Sequence, residues 1–243
     1  MALIEIKNFK KSFQGHDVHK DINLSIFSGE CLGIIGGSGV GKSVLLKSLI
    51  GLIKPDDGQV LFKNQDITKL NEDELVEVRK KIAYVFQNGA LFDSLSVYEN
   101  LAYPLKEHTM MTEQDIYQKI YKTLDEFGVL NAINKYPAEL SGGMQKRVGL
   151  ARSIIMDPEV ILYDEPTAGL DPYNTKIIQE TIIKLKNKNV TSIFVTHDMP
   201  SAFAVCDRIA FLNQGVVAAV SDVKEITNNN DNEISAFAKG LRP

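Results

Sequence analysis

Residues 31–53 read CLGIIGGSGVGKSVLLKSLIGLI: an apolar pentapeptide, a glycine-rich turn closing on Lys42 and Ser43, and an apolar run with helical spacing. A strand that enters a helix through glycines lets backbone N–H groups converge on an anion without Cβ clashes, and the helix adds its positive end. Gly36, Gly37, Ser38, Gly39, Val40 and Gly41 form the expected cradle, with Val44 beginning the apolar stretch behind it. Lys42 is expected to reach the β- and γ-phosphates, and the Ser43 hydroxyl to ligate Mg²⁺. A ligand-free glycine turn is the alternative, but the strand before and the helix after favour a bound nucleotide and an α/β fold.

The metal side of such a site needs an apolar strand ending in acid, and Val160-Ile161-Leu162-Tyr163-Asp164-Glu165 supplies it. A strand buried on both faces reads as a continuous apolar run, and α/β ligands bind at its carboxyl end. Asp164 is assigned to the metal and Glu165 to the base that activates water; the alternative is a helix N-cap. Gln87 ends another apolar strand, IAYVFQ, where its amide can touch both metal and lytic water. His197 ends the β-branched strand in IFVTHDM, within reach of a γ-phosphate. Asp171, in AGLDP, can cross to a second subunit or cap the helix that Pro172 opens.

Six strings, GGSGVGKS, VFQ, LSGGMQ, VILYDEP, AGLDP and VTHD, stand in the order and approximate spacing of the ATP-binding cassette ATPases, the motor subunits of ABC transporters, and the chain resembles that family over about residues 3–220. The resemblance implies a P-loop NTPase with a RecA-like parallel core, an antiparallel β-subdomain and an inserted helical subdomain. It also implies a head-to-tail homodimer in which ATP lies between one chain's cradle and Ser141, Gly142 and Gly143 of the other, aided by Asp171. These three residues open a helix, so N–H groups and helix dipole point at a γ-phosphate; a plain N-cap is the alternative. Met144 stands where the family usually has Gln, which touches no phosphate-binding position. Phe13, in KSF, occupies the place of an adenine-stacking aromatic, or is a strand-end core residue.

The stretch QNGALFDSLSVYENLAYPLKEHT (87–109) and the ending DNEISAFAKG resemble more narrowly the Mla-type phospholipid-transport ATPases, also described as toluene-tolerance ATPases, although no longer tail is expected after Gly240. That likeness implies work on the cytoplasmic face of the inner membrane with permease subunits, an MCE-domain lipid-binding protein and a small STAS-type regulator, in maintaining outer-membrane lipid asymmetry. An importer of amino acids or other small polar solutes is the runner-up. A soluble clamp on nucleic acid or ribosome is disfavoured, because such relatives usually carry two cassettes or a long coiled-coil insertion. After Gln87, Val97 and Leu101 are expected in the core, and Phe92 and Tyr98 as contacts for a permease helix.

The chain has 243 residues, 44% of them hydrophobic, enough for one large core with room for an insertion. A net charge of −4 provides no basic field for nucleic acid, and two cysteines make no disulfide framework. No apolar run reaches the roughly 18–20 residues that span a bilayer, and residues 1–5 read as a strand, not a signal peptide. LIEIKNF, DINLSIF and GQVLF alternate as antiparallel strands expected beside the cradle strand, forming a subdomain over the adenine. Residues 88–155 read as mostly helical, ending in the signature helix, with Ile116, Ile120, Leu124 and Phe127 on one face. Strands and helices then alternate, the sign of a parallel sheet. Residues 228–243 form a polar break, NNNDN, and a last helix whose Ile234, Phe237, Ala238 and Leu241 pack on the body of the chain or on a partner.

Overall fold

The structure, a computed structural model, describes residues 2–87, 89–228 and 233–240. Met1 of the first predicted strand, residues 229–232 of the polar break and Leu241 of the last helix lie outside the described residues.

Among the described residues ten strands form one sheet: β1 (Ala2–Phe13), β2 (His16–Phe27), β3 (Cys31–Ile35), β4 (Asp57–Phe62), β5 (Gln65–Asp66), β6 (Ile82–Val85), β7 (Val160–Asp164), β8 (Thr191–Val195), β9 (Arg208–Asn213) and β10 (Val216–Asp222). Their order is β5-β4-β1-β2-β10-β9-β3-β8-β7-β6. From β9 through β3, β8 and β7 to β6 neighbours run parallel, while β5, β4, β1 and β2 pair antiparallel. The parallel strands are buried on both faces and alternate between two cores. Cys31 and Ile35 of β3, with Ile161 and Tyr163 of β7, face one core; Leu32, Ile34, Val160 and Leu162 face the other.

The β1, β2 and β4 strands do not lie directly beside β3, as the sequence suggested. The antiparallel hairpin β9–β10 intervenes, and β10 meets β2 through the parallel pair Val216↔Asp21. Its turn, Gln214-Gly215, has positive φ at both positions (48° and 84°). That geometry matches the right-handed twist of the flanking strands.

On the second core's side, α1 (Lys42–Ser48) packs under the sheet with α2 (Glu72–Lys81); α1 ends well short of the predicted helical run. On the other side lie α3 (Val97–His108), α4 (Glu113–Glu126), α5 (Gly142–Ile154), α6 (Pro172–Asn187) and α7 (Met199–Val205). The α4 stripe Ile116, Ile120, Leu124 and Phe127 is buried, as its spacing requires, and so are Val97 and Leu101 of α3. The chain ends with α8 (Val223–Asn228) and α9 (Glu233–Ala238). Ile234 is fully buried and Phe237 stacks on Phe211 of β9 at 5.1 Å, so this helix packs on its own chain.

Cys31 and Cys206 are both buried thiols, their sulfurs 3.8 Å apart. Burial pushes the Cys206 thiol well above its ordinary pKa. No helix among the described residues is long and apolar enough to cross a membrane.

Candidate active site

The turn from β3 into α1 is held from below by a residue absent from the sequence reading. Gly41, the N-cap of α1, has φ +96°, and a Cβ there would stand 2.6 Å from the ring of His19 and 2.5 Å from Val18. Only glycine fits that loop. His19 is buried, its Nε2 lies 3.1 Å from the Gly41 carbonyl, and burial lowers its pKa. Because that carbonyl can only accept, Nε2 carries a proton, and burial favours the neutral form of the ring.

Above the turn, Ser38, Gly39, Gly41, Lys42, Ser43 and Val44 line a cavity of about 360 Å³ whose far wall is Glu165 and His197. Gly36, Gly37 and Val40 lie outside that lining; the first two offer their carbonyls to Lys42 Nζ, each at 2.9 Å. Burial holds the Lys42 ammonium below the ordinary lysine value, against the opposing pull of Glu165 and Asp164.

Parallel pairing places the ends of β7 and β8 beside this cavity. Ser43 donates to Asp164 Oδ1 at 2.8 Å, and the Tyr84 hydroxyl donates to Oδ2 at 2.7 Å. Burial and the adjacent carboxylate drive the Tyr84 phenol well above its usual pKa, so it stays a donor. Glu165 takes φ +52°, a backbone position that costs about 1–3 kcal/mol for a residue other than glycine and is held only where surroundings enforce it. Its Oε1 lies 2.9 Å from His197 Nδ1, and Oε2 accepts from the Thr196 hydroxyl at 3.3 Å. The His197 ring is otherwise open to solvent while Glu165 is largely enclosed.

One hydroxyl and one carboxylate, Ser43 and Asp164, touch each other at the cradle mouth. No cluster of three or more His, Cys, Asp or Glu able to hold a metal occurs among the described residues. This sparse oxygen set fits Mg²⁺ arriving with phosphates and water, and not a closed protein cage. Gln87 sits just beyond β6, exposed, and its side chain has no hydrogen-bond partner among the described residues. Phe13 is exposed at the tip of the β1–β2 hairpin with Lys11 Nζ 5.3 Å from its ring centroid, so it is not a core residue.

A second concavity, about 420 Å³, is lined by Ser141, Gly142, Gly143, Lys146, Asp171 and Asn174 among others, and shares no residue with the first. Ser141 caps α5, accepting from Met144 N at 3.4 Å, and Asp171 caps α6, accepting from Asn174 N at 3.0 Å. Lys146, also missed in the sequence, links α5 to the loop before α6 by donating to the carbonyls of Pro166 and Ala168.

Beneath the edge strand β6 runs an apolar groove of about 460 Å³, walled by Leu52, Val76, Tyr84, Phe86, Phe92 and Tyr103. Phe92 is 48% exposed and Tyr103 50%. Asn100, fully buried, fixes that wall by accepting from Phe92 N and donating to the carbonyls of Phe92, Leu95 and Ser96. Tyr98, expected there, instead turns toward α4 and packs on Tyr117, because a helix sends adjacent positions to different sides.

Residues 19–168 match the ABC transporter family. The chain belongs to that family. It is 37% identical to the intermembrane phospholipid transport system ATP-binding protein MlaF of Haemophilus influenzae, over 98% of this chain and 90% of that protein. To the methionine import ATP-binding protein MetN of Francisella tularensis it is 39% identical, over 93% of this chain and 66% of that one. Among solved structures, a dimeric ATP-binding cassette in a post-hydrolysis state bound to ADP and Pi superposes with a TM-score of 0.85 at 32% identity, covering 90% of this chain and 98% of that one. The chain is thus an ATP-binding cassette ATPase of the transporter type, with that family's mixed α/β fold.

Proposed function

We propose that this chain hydrolyses ATP as a head-to-tail homodimer and drives a membrane permease that moves phospholipid. The observation that supports the cargo is the likeness to MlaF, which spans nearly the whole of both chains. The second reading, import of a small polar solute, draws on the 39% identity to MetN.

In this reading the backbone of Gly39 and Gly41 and the Lys42 ammonium bind the β- and γ-phosphates, and Phe13 stacks on adenine. Ser43 and Asp164 would hold Mg²⁺, with Gln87 joining from the end of β6, and the bound ion would supply charge neutralisation at the phosphoryl oxygens. Glu165 takes a proton from the attacking water, and His197, bonded to Glu165, keeps the carboxylate aimed while facing the γ-phosphate. Ser141, Gly142, Gly143 and Asp171 meet the nucleotide of the other subunit, which accounts for two cavities that share no residue. Ser141, Gly142 and Gly143 form the signature end of a helical insertion spanning 88–155.

The apolar groove then receives a short permease helix anchored by Phe92 and Tyr103. This places the chain peripherally on the cytoplasmic face of a membrane, beside an MCE-type lipid-binding protein and a STAS-type regulator. Purification of the complex from native membranes, followed by lipid analysis, tests the reading: enriched phospholipid with a permease supports it, whereas a co-purifying periplasmic solute receptor and no lipid supports the importer.

A further inference from the structure

Both carboxylate oxygens of Asp164 are engaged, Oδ1 by Ser43 and Oδ2 by Tyr84. The two donors come from different elements. Ser43 belongs to the phosphate cradle, whereas Tyr84 lies on β6, in register with Leu162 of β7, at the edge of the sheet. The Tyr84 ring stacks on Phe86, centroids 4.4 Å apart, and both rings form part of the groove wall with Leu52 and Tyr103. One side chain therefore touches the groove with its ring and the metal-side carboxylate with its hydroxyl.

A carboxylate turns freely about its Cβ–Cγ bond unless its oxygens are pinned. A donor fixed on Oδ2 decides that Oδ1 faces Ser43. Partners that orient a ligating carboxylate are typically worth tenfold or more in metal affinity. We propose that Tyr84 is a positioning residue that sets Asp164 for the metal accompanying the nucleotide, and that its ring ties this setting to whatever fills the groove. The second half rests on the reading of the groove as the permease site.

Tyr84→Phe keeps the ring and its stacking on Phe86 and deletes only the donor. In the full chain with a non-hydrolysable ATP analogue, Mn²⁺ affinity followed by electron paramagnetic resonance is expected to fall about tenfold. Binding of the same analogue in chelator is expected to stay unchanged, a split that a general loss of structure would not produce. Equal Mn²⁺ affinity in variant and wild type overturns the role of the hydroxyl. In the assembled transporter, permease binding is expected to shift Mn²⁺ affinity in the wild type and not in the variant. A shift of equal size in both, or none in the wild type, overturns the tie to the groove. Failure of the groove reading itself shows separately, as a Phe92→Ala chain that remains attached to the permease.

Discussion

The imidazole Nδ1 of His197 lies 2.9 Å from Oε1 of Glu165, and Glu165 holds a left-handed backbone to make that contact. Two consecutive strands of the parallel sheet deliver these side chains, so the pair is as rigid as the β7–β8 ladder. Glu165→Gln keeps the size and the hydrogen-bonding reach but removes the base. Hydrolysis is expected to fall by about 10² to 10⁴ while ATP still binds, and the variant is expected to accumulate as a nucleotide-bound dimer on size exclusion. Turnover at the wild-type rate would show that the proton goes elsewhere.

Paired half-sites make a stoichiometric prediction. Ser141→Arg destroys one cavity and Lys42→Ala the other, so each variant alone is expected to be inactive. Mixed, they are expected to regain activity, because one composite site per mixed dimer is intact. A Ser141→Arg chain that hydrolyses ATP normally by itself refutes the pairing.

The groove wall separates two aromatic residues that look alike in sequence. Phe92 is open to the groove, and its truncation to Ala is expected to cost about 2 kcal/mol or more in permease binding, releasing the ATPase during co-purification with its fold intact. Tyr98 packs against α4, so Tyr98→Ala is expected to remain attached. The reverse pattern would move the docking surface to the far side of α3.

Burial depresses the pKa of His19, so the native ring stays neutral at a pH where the unfolded chain takes up a proton. Its contribution to stability is complete above the unfolded value of about 6.5, and is lost as pH falls from there toward the lower folded value. His19→Gln keeps a donor for the Gly41 carbonyl but cannot titrate. Melting temperatures measured from pH 7.5 down to 5 are expected to fall less steeply for the variant; parallel curves would remove His19 from the pH dependence.

Residues at the ends of parallel strands were legible because a doubly buried strand announces itself as an apolar run and its last residue marks the ligand edge. The places of Asp164, Glu165 and His197 at or just past the ends of β7 and β8 were read that way. The β9–β10 hairpin was missed although Gln214-Gly215 is a turn signal, because RIAFLN directly follows a short helix and reads as its continuation. Tyr84 and His19 left no local trace: each matters through a contact, with Asp164 eighty residues away and with Gly41 twenty-two away, that spacing cannot display. Gly149 likewise looks like an ordinary helical glycine. Yet a Cβ there would stand 2.6 Å from the Cα of Gly89, so the signature helix touches the segment after Gln87 backbone to backbone.

The separation of the two cavities also bears on inheritance. In the head-to-tail arrangement, a cell that makes sound and damaged copies equally pairs about half of its chains into mixed dimers, by symmetry of assembly. A chain that has lost its cradle then takes a sound neighbour's signature face out of use, while lending its own to the neighbour's cradle. Every sound cradle still meets an intact signature face in either kind of dimer, so such an allele would leave as many complete sites as there are sound cradles, spread over dimers that carry one site in place of two.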